Sequence, residues 1–205
     1  MIRNAVHRCR ALLARLHGDR QGVTLVEFGF VAPVLCVLVM GIFDMAHTQY
    51  TNSLINGALQ KAGRDLTLET AGSQQDSIDE RVRVEVLKVV PNTATVEFEK
   101  LSHFDFSDIG EGEEYDDDNN DGECNMGELY VDANGNGQWD ANRGRDGIGG
   151  ARDAVLYTAV VSYPRLFPMY GLVGMNNTVT LRASTVLRNQ PFDEQDRSTE
   201  TGNCP

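Results

Sequence analysis

Apolar residues are concentrated at the front of the chain and then thin into repeating patterns. From Val23 to Phe43 the run is continuous, and Glu27 is its only charged residue. As an α-helix these 21 residues span about 31 Å at roughly 1.5 Å per residue. A bilayer hydrocarbon core is about 30 Å thick, so the pattern predicts a transmembrane helix over 23–43. Pro33 lies inside it and predicts a kink or a local opening, with the freed carbonyl satisfied by membrane or subunit neighbours. Beyond the run, Leu54, Ile55, Ala58, Leu59, Ala62 and Leu66 recur at helical spacing, which predicts a helical stem that covers a core. Ala71-Gly72-Ser73 ends it.

Residues 76–90 carry two periods at once. Ile78, Val82, Val86 and Val89 suit a helical face, while Val82, Val84 and Val86 alternate with Arg83 and Glu85 as a strand would. The reading adopted is a short helix, stopped at Pro91-Asn92. Three later segments alternate: Thr93–Glu99, Ala154–Tyr163 and Thr178–Arg188. One-sided burial of an antiparallel sheet produces that alternation. The expected fold is therefore α+β, with a long N-terminal transmembrane helix continuing into a helix laid on a small antiparallel sheet. The chain divides into a basic leader (1–22), the transmembrane helix (23–43), the stem and first strand (44–104), a long acidic, Gly-rich loop insertion (105–150), the remaining strands (151–192) and a polar tail (193–205) expected to be disordered.

Charge sharpens this division. Residues 1–22 hold five arginines against one aspartate, a net of +4; the whole chain carries −12, so residues 23–205 carry −16. A basic head before an apolar run predicts a cytoplasmic N-terminus and an exported C-terminal part. The acidity of that part argues against nucleic acid as a partner. Of the four cysteines, only Cys124 and Cys204 fall in the exported part, where an oxidising compartment allows them to bridge. The spacing of the four supports no metal or redox motif.

Glu27 needs a partner. A carboxylate at the centre of a membrane helix costs about 2.5–3.5 kcal/mol or more. Cleavage after Gly22 would create an α-amino group on Val23, one helical turn from Glu27 in the run Val23-Thr24-Leu25-Val26-Glu27-Phe28. Its unperturbed pKa of about 7.7–8.0 leaves it largely cationic at neutral pH. Glu27 can then pair with its own new amine or with that of a neighbouring subunit.

The insertion carries the other candidate chemistry. Over 105–146 it holds 14 acidic residues and 2 basic ones. Asp117-Asp118-Asn119-Asn120-Asp121-Gly122, followed by Glu128, fits the calcium-loop pattern D-x-[DN]-x-[DN]-G-x5-E. Alternate side chains of Asp117, Asn119 and Asp121 would converge on one cation; Glu123 would offer its carbonyl, Asn125 would act through water, and Glu128 would close the site with both oxygens. All-oxygen ligation favours calcium over zinc. A second, partial loop offers Asp132, Asn134, Asn136, Gln138 and Asp140, but its twelfth position is Arg143, so Asp140 or Asp146 would have to close it. Gly110, Gly112 and Gly127 argue against flanking helices, which predicts calcium-stabilised loops rather than a calcium sensor. Trp139, the single tryptophan, reads as an apolar anchor for the insertion or, failing that, a partner surface. The four histidines make no cluster with cysteine or carboxylate, and no nucleophile elbow, zinc-protease or phosphate-loop motif appears, so no enzyme is expected.

The basic leader, Gly22, Val26-Glu27-Phe28 and Pro33 within the apolar run together resemble the TadE family of the tight-adherence (Tad) pilus system. Val155-Leu156-Tyr157 and Leu187-Arg188-Asn189-Gln190-Pro191-Phe192 resemble its exported part more loosely, and the acidic insertion lies outside the family core. The resemblance implies a pilin-like minor subunit or pseudopilin. A prepilin peptidase would cut between Gly22 and Val23, with Glu27 and Phe28 in the recognised segment. The mature chain would sit in a bacterial inner membrane as a single-pass protein with a periplasmic C-terminal part, or outside the cell within a pilus. Its partners would be other pilin subunits. The alternative is a membrane-anchored calcium-binding adhesin that never enters a filament.

Overall fold

The computed structural model describes residues 21–67, 74–174, 176–191 and 194–205. Most of the basic leader, with Cys9, His7 and His17, lies outside the described residues, as does the helix stop at Ala71-Gly72-Ser73. The fold class is α+β. Eight elements follow in order: helix α1 (Gln21–Leu66), helix α2 (Gln75–Leu87), and strands β1 (Thr95–His103), β2 (Leu129–Asp132), β3 (Arg145–Asp146), β4 (Ala154–Pro164), β5 (Thr178–Arg188) and β6 (Glu200–Asn203). The chain divides into two units, Met1–Ala46 and His47–Pro205.

The first unit consists, among described residues, of the apolar part of α1. The helix runs unbroken through Pro33, so the expected local opening is absent at the level of secondary structure. Its large apolar residues, among them Leu25, Phe28, Phe30, Leu38 and Phe43, are exposed. Among described helices it alone is long and apolar enough to cross a membrane.

In the second unit the helices cover a four-stranded antiparallel sheet of order β3-β1-β4-β5. Ile55, Leu59, Ala62 and Leu66 on α1 are buried, at spacings of four, three and four, and on α2 Ile78, Val82 and Val86 are buried at spacings of four. Helical geometry brings such positions onto one face. They meet Val96, Val155, Tyr157, Ala159, Val161, Tyr163, Val179, Ala183 and Leu187 from the sheet in one core. The ambiguous segment at 76–90 is thus a helix, because its four-residue repeat meets a core while Val84 stays exposed. At the edge of this core Tyr157 donates its hydroxyl to Asp79 at 2.7 Å, and Lys100 pairs with the same carboxylate at 2.6 Å. Burial first, and then the Asp79 bond and charge, push the Tyr157 phenol far above its ordinary value.

Strands β1 and β4 pair from Thr95↔Ser162 to His103↔Ala154. The segment 104–153 is therefore the connection of a single hairpin. It is more than a loop. Strand β3 returns to pair with β1, and β2 pairs with β6 in a separate two-stranded sheet, from Leu129↔Asn203 to Asp132↔Glu200. Over the described residues 194–205 this departs from the expected disordered tail, 193–205, of which residue 193 lies outside the described residues. The Glu200-Thr201-Gly202-Asn203 strand has no apolar alternation, and backbone pairing with β2 orders it.

Candidate functional site

In the first acidic loop backbone N–H groups converge on side-chain oxygens. Asp117 accepts from the amides of Asp121 (3.1 Å) and Gly122 (3.0 Å), Asn119 from that of Asp121 (2.8 Å), and Asp121 from that of Glu123 (2.9 Å). Asn119 and Asn125 donate their side-chain amides to Asp121 at 2.9 and 2.8 Å. Gly122 takes φ 80°, which a residue without Cβ adopts at no steric cost. Glu128 closes the loop from the far side: one of its oxygens accepts the N–H of Asp118 (3.1 Å) and the other that of Asn125 (3.0 Å). Glu128 itself is 4% exposed.

The second loop repeats the backbone bonds of the first, adds one from Gly135, and turns its side-chain amides to Asp140, the counterpart of Asn125, rather than to Asn136. Asp132 accepts from Gly135, Asn136 and Gly137, Asn134 from Asn136, and Asn136 from Gln138. Asn134 and Asn136 donate their side-chain amides to Asp140 at 2.8 and 2.6 Å. Gly137 takes φ 77°. The closing residue is Glu113. One of its oxygens accepts the N–H groups of Ala133 (2.8 Å) and Asn134 (3.3 Å), and the other that of Asp140 (3.1 Å). Ala133 and Asp140 hold the same places in the second loop that Asp118 and Asn125 hold in the first. Asp146 sits instead in β3 opposite Leu101. Arg143, at the twelfth position, donates to the carbonyl of Gly112 and pairs with Asp108 and Glu114.

The two loops are thus halves of an approximate two-fold pair. Tyr115 and Tyr130 face each other in an antiparallel bridge, flanked by Asp116 N–H to the Leu129 carbonyl and Val131 N–H to the Glu114 carbonyl, both 2.8 Å. Across this axis Glu128, beside Tyr130, closes the loop that follows Tyr115; Glu113, beside Tyr115, closes the loop that follows Tyr130. Sequence reading missed Glu113. The available signal was the repeat Glu113-x-Tyr115-x-Asp117 and Glu128-x-Tyr130-x-Asp132, displaced by 15 residues.

The electrostatics follow the same pairing. Desolvation and then the charges of Asp117, Glu128, Asp121 and Glu123 push the Tyr115 phenol up. Desolvation and then Asp132, Glu113 and Asp140 do the same to Tyr130. The N–H of Glu123 holds the Asp121 carboxyl below the usual range, aided by the amides of Asn125 and Asn119 against a partial desolvation. Trp139 donates its indole N–H to the Glu113 carbonyl at 2.9 Å and meets Tyr115 edge to face, with ring centroids 5.8 Å apart. It ties the second loop to the first.

Cys124, within the first loop, is joined by a disulfide to Cys204, with Cα atoms 5.3 Å apart. Among the described residues, no three His, Cys, Asp or Glu side chains are gathered as a metal cluster. The loop oxygens are spread around backbone N–H donors. For Asn119 and Asn125 to face a cation at Asp121, their amides must turn to present oxygen.

The other candidate residues lie at the start of α1. Gly22, Val23, Glu27 and Phe28 are all exposed on the helix, Phe28 by 62%, and among the described residues no atom beyond the helix lies within 4 Å of a Cβ added at Gly22 or Gly29. Glu27 is the single carboxylate of the apolar stretch 23–43; the next along the helix is Asp44.

Residues 22–64 match the family of TadE-like proteins. No curated protein and no solved structure matches the chain. TadE-like proteins are structural components of the Tad pilus system rather than enzymes, so the match associates this chain with the other components of that system. It also fits a single-pass membrane anchor, because the TadE-like segment is nearly all of α1. The TadE-like segment contains Gly22, Val23, Glu27 and Phe28. It contains none of the acidic loops, the sheets or the disulfide.

Proposed function

We propose that this chain is a TadE-like minor pilin or pseudopilin. A prepilin peptidase cuts it after Gly22, and it is anchored in the inner membrane with its C-terminal part in the periplasm. From there it joins other pilin subunits in building an adhesive Tad pilus. The observation that carries this reading is the coincidence of the TadE-like match with an exposed apolar helical stretch, 23–43, whose single carboxylate, Glu27, lies one turn from the proposed new N-terminus. An unpaired carboxylate in lipid is costly, and a neighbouring subunit's amine offsets that cost only in an assembly.

Calcium is the second part of the proposal. Asp117, Asn119, Asp121, Asn125, Glu128 and the Glu123 carbonyl would hold one ion. Asp132, Asn134, Asn136, Asp140 and the Gln138 carbonyl, closed by Glu113, would hold another. When bound, the ion supplies positive charge to a segment of strong like-charge repulsion and couples binding to ordering. What supports it is the recurrence of one pattern of acceptors in both loops.

Intact mass of the protein extracted from membranes tests the pilin reading. A chain beginning at Val23 is the expected result. A chain that still carries residues 1–22 would instead favour the calcium-binding adhesin on a plain anchor. That alternative draws on the ordered insertion lying wholly outside the TadE-like segment.

A further inference from the structure

The first loop is held against the last residues of the chain at two points. Cys124, between Glu123 and Asn125, is bonded to Cys204. Glu128, which closes the loop, accepts the N–H of Cys204 at its own carbonyl (2.9 Å), and the next residue, Leu129, faces Asn203 in the β2–β6 pair. Behind this contact the tail is tied down repeatedly. Arg145 donates to the Ser198 carbonyl, Arg197 pairs with Asp105, and Gln195 donates to Asp153 and to the Phe104 carbonyl. Strands of four residues are too short to hold a two-stranded sheet alone. The covalent bridge is what makes the contact permanent.

We propose that the Cys124–Cys204 disulfide and strand β6 form a redox-set clasp on the first loop, so that the loop takes a divalent cation tightly only in the oxidised chain. This rests on the calcium reading above. With the bridge closed, Glu128 and the 123–125 turn are already in register, and the incoming ion orders little. With it open, the ion must order the loop and the tail together, and affinity falls by that added entropy. Bridge formation removes two electrons and two protons from the two thiols; a protein or small-molecule disulfide accepts them and becomes two thiols. Such acceptors prevail in oxidising compartments. The chain would therefore gain tight cation binding only after export, whatever the calcium concentration before it.

Isothermal titration of the full chain in detergent with calcium tests this. Three samples are compared: the oxidised chain, the chain reduced with a phosphine, and an oxidised Gly202→Val variant. That variant keeps both cysteines, but its new side chain collides with the Tyr130 ring and so breaks β6 away from β2. The expected result is at least tenfold weaker binding on reduction, recovery on reoxidation, and a loss of similar size in G202V. Equal affinity in oxidised and reduced chains overturns the clasp and leaves the calcium reading standing. No calcium binding by the oxidised chain overturns both. Should reduction unfold the chain, as seen by far-ultraviolet circular dichroism, G202V decides: tenfold weaker binding supports the clasp, and unchanged affinity overturns it.

Discussion

Glu113 is 2% exposed and accepts three backbone N–H bonds, from Ala133, Asn134 and Asp140. Glu113→Gln keeps the shape but turns one acceptor oxygen into a donor facing an N–H. Leaving a buried donor unmet costs about 1–3 kcal/mol, and calorimetry should register it as a lowered unfolding midpoint; an unchanged midpoint would count against the closing role. Asp121 makes a prediction of opposite visibility, since it is exposed. Its folded pKa is depressed, so its contribution is complete above the unfolded value of about 3.9 and is lost as pH falls through the lower folded value. The protection of the Glu123 amide relative to its intrinsic exchange rate should therefore fall only below about pH 4; a fall already at about pH 6 would contradict the assignment. The first loop's donors were legible in sequence because they fall within one short motif. Glu113 was not, because it reaches the second loop from upstream across the Tyr115–Tyr130 axis, and a scan that runs forward from Asp132 meets Arg143 instead.

At the scale of elements, α1 and α2 were readable because Ile55, Leu59, Ala62 and Leu66, and again Ile78, Val82 and Val86, mark one face each. Leu59 is 0% exposed at the centre of the core. Leu59→Ala should cost about 2–5 kcal/mol, measured by denaturant unfolding, and a loss under 1 kcal/mol would mean the helix is not packed as described. Strands β1, β4 and β5 announced themselves by alternation. Strand β6 did not. Glu200, Thr201, Gly202 and Asn203 carry no apolar side chain, and the information that orders them lies in their partner, β2, and in Cys204. Strand β3 is equally silent: two charged residues, Arg145 and Asp146, paired to β1. Elements defined by what they pair with leave no period of their own to read.

For the molecule as a whole, the TadE-like match and the acidic insertion occupy separate stretches of the chain. Glu27→Ala should leave membrane insertion intact and lower incorporation into pili several-fold, scored by comparing membrane and sheared-pilus fractions. Normal incorporation would remove Glu27 from the assembly argument. The pairing of β2 with β6 also has a consequence in time. Ribosomes add about 5–20 residues per second, and Cys124 and Cys204 are separated by 80 positions. For roughly 4–16 s each new chain therefore presents a free thiol and the unpaired edge of Leu129–Asp132 before their partners have been made. Neighbouring copies at the same stage offer the same thiol and the same edge. Where export begins before synthesis ends, cross-linked dimers through Cys124 in the oxidising compartment are the error this order invites, and crowding of incoming copies would make it worse.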